Sequence, residues 1–83
     1  MTSDGDIQAV VLVRTADPDT TRLDRLLRRI RGVTAAWHLA GDADLLVLVT
    51  CRDLGDLRRI LTRLRAEGRA VITDTHLVLR QAR

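Results

Sequence analysis

The stretch "HLAGDADLLVLVTCRDLGDL", residues 38–57, carries a turn, an apolar run and a helix start in succession, and its reading decides the fold. Gly41-Asp42-Ala43-Asp44 sets two carboxylates on a tight connection, and the run Asp44 to Cys51, without a polar residue from Leu45 to Val49, reads as a strand joined by the Gly41 to Ala43 turn. Asp53 is then a good N-cap with Asp56 at the capping-box position. Leu54, Leu57, Ile60, Leu61 and Leu64 fall on one face of the helix that follows. Upstream, "VTAAWHLA" (33–40) reads as a second strand, so the glycine-containing turn predicts a hairpin. The two acids have two readings: they serve the turn through their own backbone hydrogen bonds, or they serve a ligand.

Outward from the hairpin, "IQAVVLVR" (Ile7 to Arg14) is a first strand and "TADPDTT" a loop supplying turn and capping residues. From Thr21 the spacing changes: Leu23, Leu26, Leu27 and Ile30 form one helical stripe among arginines, and Gly32 ends that helix. Gly68 closes the second helix, and "AVITDTHLVLRQ" (70–81) is a fourth strand. Residues 1–6 read as a leader and residues 7–83 as one domain. The order βαββαβ is the split arrangement of ferredoxin-like α+β folds, with a four-stranded antiparallel sheet carrying both helices on one face.

The pattern has a consequence for assembly. A sheet with one wet face alternates apolar with polar residues, yet Val10 to Val13 and Leu45 to Val49 are apolar on both. Two helices cover one face only. The other must be covered by a second molecule, which predicts a homodimer joined sheet to sheet, with Val11, Val13, Trp37, Leu46 and Leu48 as interface residues.

Composition narrows the class. At 83 residues the chain holds a single domain near the lower limit of comfortable stability, and 46% apolar against 30% charged residues argues against disorder. No stretch reaches the length of a bilayer span, and the polar, acidic start lacks the pattern of a signal peptide. The lone Cys51 has no partner for an internal disulfide, so a cytoplasmic location is the simplest expectation. All fourteen basic residues are arginine, a bias that looks like codon composition, and eleven acids are interspersed among them. Charge alone permits nucleic-acid binding without indicating it.

From Ile7 to Arg80 the chain resembles the effector-binding and oligomerisation domain of the Lrp/AsnC (feast/famine) transcriptional regulators, the RAM domain. The resemblance rests on the apolar first strand ending in Arg14, "GV" at 32–33, "GDADLLV" at 41–47, the acid-capped "RDLGDL" and "TDTHLVLR" at 73–80. Ala43 stands where the family's turn usually has an aromatic residue. Only residues 1–6 precede the first strand, so the chain resembles the stand-alone form without a helix-turn-helix. What the resemblance implies is a non-catalytic sensor whose dimers associate further, commonly into octameric rings, and bind a free amino acid between dimers. By position, the effector residues it implies are Gly41, Asp42, Asp44, Thr73 and Thr75. That set fits the ligand chemistry, since an ammonium group favours a carboxylate and a carboxylate favours N–H groups and hydroxyls. Full-length Lrp/AsnC regulators are the implied partners, with neither membrane nor direct DNA contact.

Other features have plainer readings. Thr73 and Thr75, two apart, share a face of an ideal strand, and are also ordinary β-formers. The arginine faces (Arg22, Arg25, Arg28, Arg29; Arg58, Arg59, Arg63) read as solvated surfaces with intrahelical pairs Asp24–Arg28 and Asp56–Arg59, because nucleic-acid modules usually add aromatic stacking groups or a recognition element and this chain has one Trp and no Phe or Tyr. His38 and His76 lack metal-ligand spacing, so neither metal nor cofactor is expected. Cys51 reads as a small buried hydrophobe. Trp37-His38 raises an enzyme alternative, a small cofactor-free dimeric α/β-barrel monooxygenase with an enclosed pocket beside that pair; neighbours on a strand, however, point to opposite faces. A purely structural oligomerisation module is the third reading.

Overall fold

The computed structural model describes residues 6–83, the side chain of Thr73 excepted. Residues 1–5 of the expected leader lie outside the described residues. The elements are β1 (Ile7–Thr15), α1 (Thr21–Arg29), β2 (Val33–His38), β3 (Leu45–Cys51), α2 (Leu54–Ala66) and β4 (Ala70–Leu77), in the expected βαββαβ order. The sheet order is β2-β3-β1-β4, with β1 antiparallel to both β3 and β4, and β2 antiparallel to β3. This is the ferredoxin-like arrangement. β2 and β4 end sooner than the sequence reading placed them.

Local chemistry sets the boundaries. The Asp53 carboxylate caps α2, its Oδ1 accepting from the Asp56 N–H at 2.7 Å. The capping box is shifted by one residue, because the Asp56 carboxylate accepts from Arg52 N–H, not from Asp53. Gly32, two residues beyond the C-cap of α1, adopts φ +103° and lies so close to β3 that a Cβ there would meet the Thr50 carbonyl oxygen at 2.9 Å and Ile60 Cδ1 at 3.1 Å. Glycine is needed there for both reasons.

The helices seal one sheet face. Ala9, Val11 and Val13 of β1 and Leu45, Val47, Val49 and Cys51 of β3 are buried against Leu23, Leu26, Leu27 and Ile30, and against Leu57, Ile60 and Leu64. Each fully buried branched aliphatic side chain contributes about 1.5–3 kcal/mol relative to exposure. The interface expected at Val11 and Val13 is corrected here. They are 0% and 1% exposed within a single protomer, because odd-numbered β1 residues face the helices.

The opposite face carries the remaining apolar residues. Leu48 lies opposite Val10 and Leu46 opposite Leu12 across the β1–β3 pair, all four only half-buried. Ala35 and Trp37 continue this face onto β2, opposite Leu48 and Leu46. Trp37 is 51% exposed. On β4 the same face presents Asp74 and His76, opposite Leu12 and Val10. Among the described residues no helix covers this side.

Candidate functional site

The Gly41–Asp44 connection sits where β2 meets β3, beside the end of β1, and hydrogen bonds fix it there. Leu39 N–H donates to the Asp44 carbonyl at 2.8 Å, closing the hairpin. Asp44 N–H donates to the Val13 carbonyl at 2.8 Å, and Asp44 Oδ2 accepts from Thr15 N–H at 2.8 Å. The half-buried Asp44 carboxylate therefore extends the β1–β3 ladder past its last strand pair. Arg14 adds a further tie, its Nε donating to the Asp42 carbonyl at 2.5 Å. Asp42 itself projects exposed side-chain oxygens. Gly41 has φ +131°, and a Cβ there would meet nothing within 4 Å, so the turn needs glycine for its dihedral and not for space.

The two acids thus differ: the Asp44 carboxylate is tied into the scaffold, whereas among the described residues the Asp42 carboxylate makes no hydrogen bond or ion pair. That distinction is invisible in the spacing. Two carboxylates two residues apart look equivalent until the partner of one, a backbone N–H 29 residues away, is known.

Of the two threonines expected to complete the site, Thr75 stands on β4, two strands over from β3 in the sheet. Thr75 is opposite Val11, so it is on the helix-covered face and partly buried. The register of β4 against β1 shifts between Leu12 and Val13, whose partners are Asp74 and Ile72. Counting alternate residues through Thr73 therefore fails, and the Thr73 side chain lies outside the described structure. Within one protomer Gly41, Asp42 and Asp44 are together, and Thr75 is not with them.

A cleft of about 190 Å3 opens beside the turn, lined by Thr15, Asp17, Pro18, Thr20, His38, Leu39 and Asp44. A larger one of about 430 Å3 lies between α1 and β2, where Asp24, Arg28 and His38 meet Val33 to Ala36. Both are open surface clefts that share His38. His38 Nε2 is 3.1 Å from Asp24 Oδ1, so Asp24 is paired with β2 and not with Arg28 as the helical spacing suggested. The Asp56–Arg59 pair does form, at 3.2 Å, and Arg63 pairs with Glu67 at 2.6 Å. His76 is 3.0 Å from Asp74 on the open sheet face, a pair made by one strand with itself. Sequence spacing for metal ligands misses both histidine–carboxylate pairs.

Trp37 and His38 project to opposite faces, opposite Leu46 and Leu45 respectively. Cys51 is buried, and desolvation, reinforced by the carboxylates of Asp56, Asp53 and Asp6, pushes its thiol above its ordinary pKa. Such a thiol is a poor nucleophile at neutral pH. Among the described residues no group of three His, Cys, Asp or Glu side chains could hold a metal ion, and no helix is long and apolar enough to cross a membrane.

Comparison with known proteins gives this geometry its context. The chain is 34% identical over 76 residues to the homocitrate synthases of Saccharolobus islandicus and Saccharolobus solfataricus, a match covering 90% of this chain and 16% of theirs. Among solved structures it is similar to the leucine response regulatory protein LrpA of Mycobacterium tuberculosis, with a TM-score of 0.81, 22% identity and coverage of 93% of this chain and 53% of that one. A feast or famine regulatory protein of the same organism, complexed with L-methionine, gives a TM-score of 0.80 at 22% identity, covering 93% of this chain and 52% of its own. The chain thus spans about one sixth of the curated relatives and about half of the solved regulators. The family model described as the Lrp/AsnC ligand binding domain matches residues 8–83, nearly the whole chain, and the chain belongs to that family.

Proposed function

We propose that the chain is a homo-oligomeric sensor domain for a small effector of the amino-acid class, held beside the Gly41–Asp44 turn at a boundary between dimers. The observation that carries this reading is the conjunction of an uncovered apolar sheet face with an exposed, hydrogen-bond-fixed turn. Val10, Leu12, Leu46, Leu48, Ala35 and Trp37 make up that face, and packing it on a second copy through a two-fold axis removes it from water. Trp37 and the Leu46–Leu48 pair are then its central anchors. Dimers joined this way leave the turns at the rim, where further association into a ring, octameric or otherwise, completes each effector site from two copies. That arrangement also accounts for the distance between Thr75 and the turn in one protomer, since the residues completing a shared site need not come from the same chain.

The effector class rests on family membership and on the solved relative complexed with L-methionine. The domain acts without catalysis, cofactor or metal, in the cytoplasm. It exerts control by co-assembling with full-length Lrp/AsnC regulators, with no direct contact to DNA. The open clefts around His38, the separation of Trp37 from His38 and the protonated Cys51 thiol all weigh against the monooxygenase alternative.

A second reading is favoured by one specific observation, the 34% identity to a segment making up 16% of homocitrate synthases. A domain of this kind can report amino-acid levels to a biosynthetic enzyme as well as to a promoter. Both readings share the same sensor.

Titration calorimetry of the chain against the twenty amino acids at millimolar concentration tests the sensor. Saturable heat from one or a few of them supports it. Uniformly absent heat contradicts it and leaves the purely structural oligomerisation module.

A further inference from the structure

We propose that the outer edge of β2, in the groove it makes with α1, receives an extended acidic segment of a partner protein as an added strand of the sheet. The open sheet face and the Gly41–Asp44 turn take no part, so this docking surface stands or falls apart from the effector reading.

The order β2-β3-β1-β4 leaves two edge strands, and they are finished differently. Sheets commonly protect an exposed edge with a bulge, with charged side chains or with a covering segment. β4 has two of these: its ladder to β1 is interrupted midway, between Ile72 and Asp74, and it carries the Asp74–His76 pair. The irregularity of β2 falls at its start, so Ala35 to His38 run in unbroken register opposite Leu48 to Leu45. The strand, VTAAWH, has no proline, carboxylate or arginine. Among the described residues, no loop or helix hydrogen-bonds the main chain of residues 34–38 on the side away from β3. Those N–H and C=O groups are a template for another strand.

α1 supplies the charge. Asp24, the single acid between Thr21 and Arg31, is engaged by His38 at 3.1 Å and by the Thr20 hydroxyl at 3.3 Å. Arg28 lines the groove of about 430 Å3 and is exposed, and among the described residues it has no hydrogen-bond or ion-pair partner. The same holds for Arg25, one turn earlier on the same side of the helix. On α2, by contrast, Arg59 and Arg63 are paired with Asp56 and Glu67. The wall above the β2 edge is therefore left positive.

A chain laid along β2 turns alternate side chains toward α1 and toward the open face. Those on the helix side meet Arg28 and Arg25; those on the other side meet Trp37. The segment that fits is acidic at alternate positions and apolar between them. A second copy fits less well, because pairing β2 with β2 about a two-fold axis brings the arginines of both α1 helices together, and like charges at close range oppose association.

The test titrates the full chain with a blocked hexapeptide of alternating Glu and Val, with its Lys–Val counterpart, and with the Glu–Val peptide N-methylated at every residue. Binding is followed by the emission of Trp37, the chain's single tryptophan, and by amide hydrogen exchange at residues 34–38. The Glu–Val peptide should saturate by millimolar concentration and slow exchange at alternate amides of that segment. The other two peptides should bind about tenfold more weakly or worse, one lacking the charge and the other the main-chain donors. Arg28→Glu should weaken the Glu–Val peptide about fivefold or more with an unchanged thermal melt, and the Lys–Val peptide reads the same charge without any variant. Equal binding of the acidic and basic peptides, or no saturable binding of the acidic one, overturns the proposal. So does slow exchange at the outward amides of the free chain, since the edge is then already covered by a second copy.

Discussion

Val10 and Val11 are neighbours in the chain, identical in chemistry, and meet opposite surroundings. Val11 is sealed beneath the helices at 0% exposure, whereas Val10 lies half-buried on the bare side of the same strand. The contrast repeats on β3, where Leu45, Val47 and Val49 are core and Leu46 and Leu48 are not. Apolarity on both faces of a strand says that both faces are destined for burial, but not by what. The covered face is completed within one chain; the open face, in the function proposed above, takes a second copy. Its far edge differs again, because β4 offers the Asp74–His76 pair where β1 and β3 offer aliphatic side chains.

The sharpest way to break this comparison is to place the same charge on each face. Val47→Asp buries an uncompensated carboxylate in the core, at a cost that rivals the roughly 4–12 kcal/mol of total stability such a domain has. It should be unfolded at 25 °C by circular dichroism. Leu48→Asp, one residue away, should keep the native spectrum and lose the dimer in light scattering. If both unfold, the open face is needed for the fold itself; if both fold and assemble, the account of the two faces is wrong.

Truncation gives a graded version. Leu64→Ala removes a fully buried side chain from α2 and should cost about 2–5 kcal/mol in chemical denaturation. The exposed Leu54 at the start of that helix should cost well under 1 kcal/mol when changed to alanine.

The two positive-φ glycines extend the comparison from side chains to backbone. Gly32→Ala meets both an unfavourable dihedral and the Thr50 carbonyl at 2.9 Å, so a loss of about 2–3 kcal/mol is expected. Gly41→Ala meets the dihedral alone and should lose about 1 kcal/mol, with effector binding affected more than the melt. Equal losses would mean that the close approach of Gly32 to β3 relaxes freely.

The smallest effect concerns acid. Hydrogen bonds from the Arg59 side chain and then from Arg52 N–H hold the Asp56 carboxyl below its usual range. A depressed folded-state pKa means that this contribution is present above the unfolded carboxylate value and disappears as pH falls through it toward the folded one, below about pH 4. Asp56→Asn should lower stability slightly near pH 7, where that contribution is present, and converge with the wild type in acid, so that the acid limb of its melting curve is slightly flatter. A steeper acid limb in the variant would contradict the assignment.

Much of the architecture was legible because each element announces itself locally. The valine-rich run of β1, the leucine stripe of α1, the Gly turn and the Asp53 cap each fix one piece, and their order leaves few topologies. What stayed hidden depends on partners distant in sequence. The parity of β1 is invisible when Val10 to Val13 are all apolar, so the sequence points Val11 and Val13 to the interface as readily as to the core where they lie. Periodicity also fails where a strand carries an irregularity. The shift opposite Leu12/Val13 defeats any count from Thr73 to Thr75, and one between Val33 and Ala35 does the same on β2. The roles of Asp42 and Asp44 diverge only through Thr15 and Arg14, and Asp24 chose His38 over Arg28 because β2 packs beside α1.

Sedimentation velocity at micromolar concentration tests the central claim, that the open sheet face is a protein interface, most directly. The expected result is a species of at least twice the 9.3 kDa chain mass that reverts to a folded monomer in Leu48→Asp. A stable wild-type monomer across that range would contradict the account.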